Sequence, residues 1–205
     1  FQAEDGIRDF CLSRGLGDVY KRQGNFESIM DKELVVLVDK DDRQIGTMEK
    51  IEAHSTAVLH RAFSVFIINK NQELLLQQRA FDKYHSPGLW TNTCCSHQRD
   101  GEATLDAGAR RLMEEMGIKV PLTELFTFIY KASFDNGLTE HELDHVLIGY
   151  SGANPKINLK EVAAFNWMPL DEIEKDLKQN PKNYTVWFNI IFDRFYKHIL
   201  NQKTL

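Results

Sequence analysis

At 205 residues the chain is long enough for one substantial hydrophobic core, and 42% apolar with 27% charged residues is a globular composition that excludes a disordered chain. No apolar run approaches the roughly 18 residues of a membrane-spanning helix, and the start lacks the basic-then-apolar pattern of a secretory signal, so a cytoplasmic, membrane-free protein is expected. A formal net charge of −5 argues against a nucleic-acid binder, which needs a basic surface to displace counterions, and leaves a small phosphorylated substrate open.

Phe1 to about Gln23 has neither a helical nor a strand period. Asp18-Val19-Tyr20-Lys21-Arg22-Gln23 reads as the translation of a transposon-end adapter used in sequencing libraries. Residues 1–29 are therefore expected to be a non-native leader, and residues 30–205 a single domain. From Glu33 the run Glu-Leu-Val-Val-Leu-Val predicts a strand to Val38, Asp39-Lys40-Asp41-Asp42 a turn, and Gln44 to Glu49 a returning strand. Phe63 to Asn69 and Glu73 to Gln78 predict a second hairpin around Lys70-Asn71-Gln72. Arg79 to Asp100 reads as a long loop, a kind of segment that is usually functional in compact domains.

Leu105, Ala109, Leu112, Met113 and Met116 fall at helical spacing and predict a helix over Ala103 to Met116, with that face in the core and Gly117 as its stop. Strands are predicted near Leu125 to Phe134, Leu143 to Tyr150 and Phe165 to Met168. A helix is predicted to begin at Pro169-Leu170-Asp171-Glu172, and an aromatic-rich amphipathic helix runs over Thr185 to Leu200. The order of strands, helix, strands and helices predicts an α/β (α+β) domain, a mixed sheet with helices packed on its faces.

Three features call for more than packing. Glu140 and Glu142 alternate at the start of an apolar strand, so both carboxylates project from one face about 7 Å apart; this is either a solvated strand end or a pair awaiting a cation. His54, His60 and His97 lie near strand edges or loops. Singly they read as structural, but with the two carboxylates they form a five-donor set suited to Mn²⁺, Mg²⁺ or Zn²⁺. Cys94 and Cys95 are adjacent, too close for an unstrained disulfide, and Cys95 is two residues from His97. A thiol there is either inert and buried or, near cations, able to exchange a proton.

Together these residues resemble the type 1 isopentenyl-diphosphate isomerases. The resemblance runs from about Leu34 to Trp187 through Glu49-Lys50 with Ala53-His54, His60-Arg61-Ala62-Phe63-Ser64, Gln78-Arg79-Ala80, Trp90-Thr91-Asn92-Thr93-Cys94-Cys95-Ser96-His97, Arg110-Arg111 with Glu114-Glu115-Met116-Gly117, and Glu140-His141-Glu142. It implies the Nudix fold, a mixed sheet between helices, and a metal-dependent 1,3-allylic shift between isopentenyl and dimethylallyl diphosphate that feeds isoprenoid biosynthesis. His54, His60, His97, Glu140 and Glu142 are then expected to hold one divalent metal, Mn, Mg or Zn. Cys95 is expected as a catalytic acid/base, and Glu142 as proton donor with Tyr130 hydrogen-bonded beside it. Lys50, Arg79 and Lys83 are expected on the diphosphate, Glu115 on a second ion, Mg²⁺, bridging to the phosphates, and Trp187 on the hydrocarbon end. His141 and His145 fall on the opposite strand face and are expected not to be ligands.

Two rival readings remain. The Nudix hydrolase signature can be laid over Ser96, Glu102, Arg110, Arg111, Glu114, Glu115 and Gly117, but Ser96 replaces its Gly and Arg111 replaces a Glu that holds the hydrolytic metals. A non-catalytic Nudix binding module would have no use for an acid, a thiol and five metal ligands together.

Overall fold

A computed structural model describes residues 33–202 of the chain; the leader expected over residues 1–29 lies outside them. Nine strands and four helices are formed among the described residues: β1 Leu34–Val38, β2 Gln44–Glu49, α1 Lys50–Thr56, β3 His60–Ile68, β4 Glu73–Arg79, β5 Trp90–Thr91, β6 Cys94–Ser96, α2 Thr104–Met116, β7 Thr123–Ser133, β8 Thr139–Tyr150, β9 Val162–Pro169, α3 Leu170–Gln179 and α4 Val186–Gln202. All nine strands join one mixed sheet with helices packed on its faces, the expected α/β architecture. No described helix is long and apolar enough to cross a membrane.

The sheet is organised on β3 and β8, which run parallel from His60↔Glu142 to Ile68↔Tyr150. Both faces of β3 are covered, which is why it reads as a nearly continuous apolar run. Phe63, Val65 and Ile67 pack with Leu112 and Met116 of α2. Phe66 and Ile68, on the other face, pack with Phe188, Phe192 and Phe195 of α4.

The second hairpin departs from expectation. β3 and β4 pair only at Ile68↔Leu74, after which β4 continues against β9 and the edge of β3 passes to β6. Buried side chains of the long loop wedge the hairpin open. Thr93 Oγ1 accepts from Ile67 N at 2.9 Å and donates to Leu75 O at 2.6 Å, standing in for ladder bonds between the two strands. Asn92 Nδ2 donates to Val65 O at 3.1 Å and to Cys94 O at 2.7 Å. The segment read as a loop thus contains two short strands, and β6 lays Cys95 opposite Ser64.

The helix α2 also differs from its predicted face. Leu105 and Met113 are 43% and 54% exposed, while Ala107, Gly108, Leu112, Glu115 and Met116 are buried. Gly108 explains the roll, because a Cβ there would stand 2.6 Å from Leu147 Cδ1 and 3.1 Å from Leu122 Cδ1. The helix lies against β8 on its glycine, and this turns Glu115 inward.

The helix ends at Gly117, in left-handed conformation with φ +65°. Lys156 N and Asn158 N cap the Met116 and Glu115 carbonyls at 2.8 and 2.9 Å, so a Cβ on Gly117 would sit 2.9 Å from the Lys156 carbonyl oxygen. Gly117→Ala is expected to lower the unfolding free energy by at least about 1–2 kcal/mol, the cost of a left-handed L-residue alone, read as a lower urea midpoint at unchanged slope.

Candidate metal and active site

The short helix α1, which periodicity did not reveal, places the first histidine. Both Glu49 carboxylate oxygens accept from the helix start, at Ile51 N and Glu52 N, and Ala57 in left-handed conformation ends it. The inward face carries Ala53 and His54. Three residues after Ala57, His60 opens β3 directly beside Glu142. The His60 Nδ1–H donates to Val58 O at 2.8 Å, which leaves the Nε2 lone pair facing inward. β6 brings His97.

The three imidazoles converge on one oxygen. His54, His60 and His97 place Nε2 at 3.7, 3.5 and 3.1 Å from Glu142 Oε1. One donor atom from each of these four residues lies within 4.8 Å of the others. Both ring nitrogens of His54, His60 Nε2 and His97 Nδ1 are buried with no hydrogen-bond partner in the protein. Buried polar atoms are normally satisfied, so converging orphaned imidazole nitrogens beside a carboxylate fit a divalent cation. Burial pushes His97 down to about 4, keeping its lone pair available. Burial would raise Glu142, but the imidazoles of His54, His60 and His97 gathered around it outweigh burial and hold its carboxyl well below the usual range.

Glu140 lies outside this foursome. Tyr130, opposite Glu142 on β7, donates its hydroxyl to Glu142 Oε2 at 2.7 Å and Glu140 Oε2 at 2.9 Å. Burial and the Glu142 charge push Glu140 well above the usual carboxylate range. Glu115 stands apart too, buried and accepting from Arg111 Nη2 at 2.6 Å and Gln77 Nε2 at 3.1 Å.

The two cysteines point to opposite faces. Cys94 is wholly buried in the core under α2, where burial and the charge of Glu115 push its thiol well above the usual range. Cys95 packs instead against the cluster that holds Tyr130 and Trp187. Burial pushes its thiol up to about 12, with Arg79 opposing and Glu115, Glu140 and Glu142 adding to the rise.

Of the expected diphosphate cations, Arg79 is buried. Its Nε and Nη2 bind the Ser86 and His85 carbonyls, each at 3.2 Å, and its guanidinium lies 5.2 Å from the Trp187 ring. Lys83 is ion-paired with Glu161, which also meets Arg111 at 3.4 Å. Lys50 lies 5.4 Å from the Tyr84 ring. Trp187 is buried, with its Nε1 unpartnered. His141 turns to Ala57 O at 3.0 Å, and His145 to Glu124 at 2.7 Å; neither joins the foursome.

Two nearby residues escaped the sequence reading. Asp144 is buried, accepts from Ser64 Oγ at 2.8 Å and leaves Oδ1 unpartnered. Burial, then the Glu142 charge, pushes it well above the usual range. The alternation that singled out Glu140 and Glu142 extends to it. The other is His85, buried with Nε2 3.5 Å from Glu140 Oε1; burial and the charge of Arg79 push it down to about 3.

A NUDIX domain family profile matches residues 58–188. The isopentenyl-diphosphate Delta-isomerase of Pectobacterium atrosepticum is 52% identical over 160 residues, covering 78% of this chain and 89% of that protein. The protein of the same name from Serratia proteamaculans is 46% identical, over 76% of this chain and 87% of its own length. Among solved structures, a Deinococcus radiodurans protein superposes with a TM-score of 0.66 at 16% identity, over 79% of this chain and 98% of its own. A MutT protein from Methanosarcina mazei superposes with 0.57 at 21% identity, over 68% and 94%. These two likenesses are of fold.

Proposed function

The chain belongs to the isopentenyl-diphosphate Delta-isomerases of the NUDIX superfamily, and on that premise we propose that it interconverts isopentenyl and dimethylallyl diphosphate by alkene protonation and carbocation deprotonation. The observation that carries this reading is the arrangement on one face of the sheet. Four metal-competent donors within 4.8 Å of one another sit beside a carboxylate pair bridged by one tyrosine, and of two adjacent thiols only Cys95 packs on the Trp187 side.

His54, His60, His97 and Glu142, joined by Glu140, would hold a divalent ion, Mn, Mg or Zn, whose charge orders the carboxylates and tunes their acidity. Towards the dimethylallyl isomer, starting from the form that carries the proton on the Glu142 carboxyl and the thiolate on Cys95, Glu142 gives its proton to the terminal methylene carbon, the alkene electron pair forms the new C–H bond, and a tertiary carbocation remains. Cys95 removes a proton from the carbon next to it, and the C–H pair becomes the new double bond. The two groups exchange roles in reverse, each such transfer contributing about 10²–10⁴-fold. Tyr130 fixes the orientation of Glu142 throughout. The Trp187 indole face stabilises the cation by about 2 kcal/mol where water is excluded, and offers no nucleophile to trap it.

Lys50, Arg79 and Lys83 would grip the diphosphate, and Glu115 would hold an Mg²⁺ that offsets its charge. That end never reacts, and its binding holds the alkene in register. The partner is thus a small-molecule diphosphate and not a nucleic acid or membrane, and adjacent unbridged thiols suit the cytoplasm. Hydrolysis is disfavoured because Arg111 stands in place of a metal-binding carboxylate and pairs with Glu115. Incubating the full chain with isopentenyl diphosphate and Mg²⁺ in deuterated water is expected to give dimethylallyl diphosphate with deuterium in the new methyl group by NMR. Cleavage of nucleoside diphosphates with no isomerisation would overturn the reading.

A further inference from the structure

The loop between β4 and β5 brings a fourth imidazole to the site. Arg79 donates to the carbonyls of His85 and Ser86, and Ser86 takes a left-handed conformation with φ 49°. The guanidinium thereby fixes the backbone that carries the His85 ring.

Four aromatic rings surround that ring. Phe134 stacks on it at 5.0 Å, while Tyr84, Trp187 and His54 approach edge-on at 4.4, 5.8 and 6.1 Å. Its two nitrogens have different neighbours. Nδ1 lies 3.5 Å from Ser86 Oγ, whose hydroxyl can donate to it, and Nε2 lies 3.5 Å from Glu140 Oε1. A ring that accepts at Nδ1 carries its hydrogen on Nε2, the nitrogen beside the carboxylate. Tyr130 already holds the other oxygen of Glu140, so between them these two side chains decide where that carboxylate points.

We propose that His85 is a positioning residue of this site, its Nε2–H orienting the Glu140 carboxylate for the divalent ion bound with Glu142 and the three histidines. The inference rests on reading Glu140 as a ligand of that ion. Carboxylate ligands are commonly held by a hydrogen-bond donor behind them, and losing such a donor lowers metal affinity or turnover about 10–100-fold. The ring contacts serve this purpose by leaving the imidazole one orientation.

Two variants separate donor from ring. His85→Phe keeps an aromatic ring and removes the N–H; His85→Gln keeps an N–H at similar reach and removes the ring. The chelator-stripped full chain is titrated with Mn²⁺ by calorimetry, and the metal-loaded chain is assayed with isopentenyl diphosphate. His85→Phe is expected to weaken Mn²⁺ binding and lower kcat by about tenfold or more with KM within about threefold, and His85→Gln to recover most of both. Wild-type Mn²⁺ affinity in His85→Phe, or equal losses in both variants at unchanged melting temperature, would overturn the proposal. A wild-type chain that binds Mn²⁺ without isomerising the diphosphate would remove the proposed reaction and leave the effect of His85 on metal binding readable.

Discussion

Cys95→Ala is expected to lower the isomerisation rate by about 10²–10⁴-fold, the contribution of one proton-transfer group, while Cys94→Ala keeps turnover. The adjacent side chains have almost no environment in common. Cys95 lies on the face of β6 turned towards Trp187 and Tyr130, so removing its sulfur takes away a group that exchanges a proton with substrate. Cys94 is 0% exposed among Phe63, Leu112 and Met116, where truncation leaves a void. Its cost falls on stability, about 1–3 kcal/mol, read from the urea midpoint. The two variants should therefore fail in different assays. Turnover surviving in Cys95→Ala, or vanishing in a folded Cys94→Ala, would assign the chemistry to the wrong sulfur.

Which features were legible in the sequence follows from what periodicity can report. β1 and β4 are short apolar runs, β2 returns from a polar turn and α2 ends on a glycine, so their bounds agree within about two residues of expectation. The helix α1 has seven residues and an exposed Ile51, too short to display a helical apolar stripe. The loop after Arg79 hid two strands because Asn92 and Thr93 bond through side chains to β3 and β4, and such bonds leave no periodic trace. Gly108 misled in another way, since apolar spacing assigns the buried face to large residues and cannot register a backbone that approaches through a missing one.

The site followed the same logic. Alternation put Glu140 and Glu142 on one face, and the histidines stood out by residue type. Their meeting depends on the parallel pairing of β3 with β8, and alternation is the same for parallel and antiparallel strands. Nothing local to His60 says that Glu142 is its neighbour. His85 was passed over because its significance comes from Glu140 and Trp187, both distant in sequence.

Glu142→Gln is expected to separate metal binding from folding most sharply. Oε1 of Glu142 faces all three histidine Nε2 atoms between 3.1 and 3.7 Å, and Oε2 takes the Tyr130 hydroxyl. Glutamine preserves the shape and loses both the charge and the acidic proton. The charge is what offsets a dication among neutral imidazoles, and the proton is what the alkene receives, so both functions should fail together. A ligand that binds only the folded state at one hundred times its Kd adds about 2.7 kcal/mol of stability. Mn²⁺ is therefore expected to raise the melting temperature of the wild-type chain, a chelator to reverse the rise, and neither to move Glu142→Gln, with turnover reduced at least about 10³-fold. Equal thermal shifts in the two chains would place the ion elsewhere. An unshifted variant that still isomerised the diphosphate would separate the ion from the proton transfer, and leave Cys95 to find another partner.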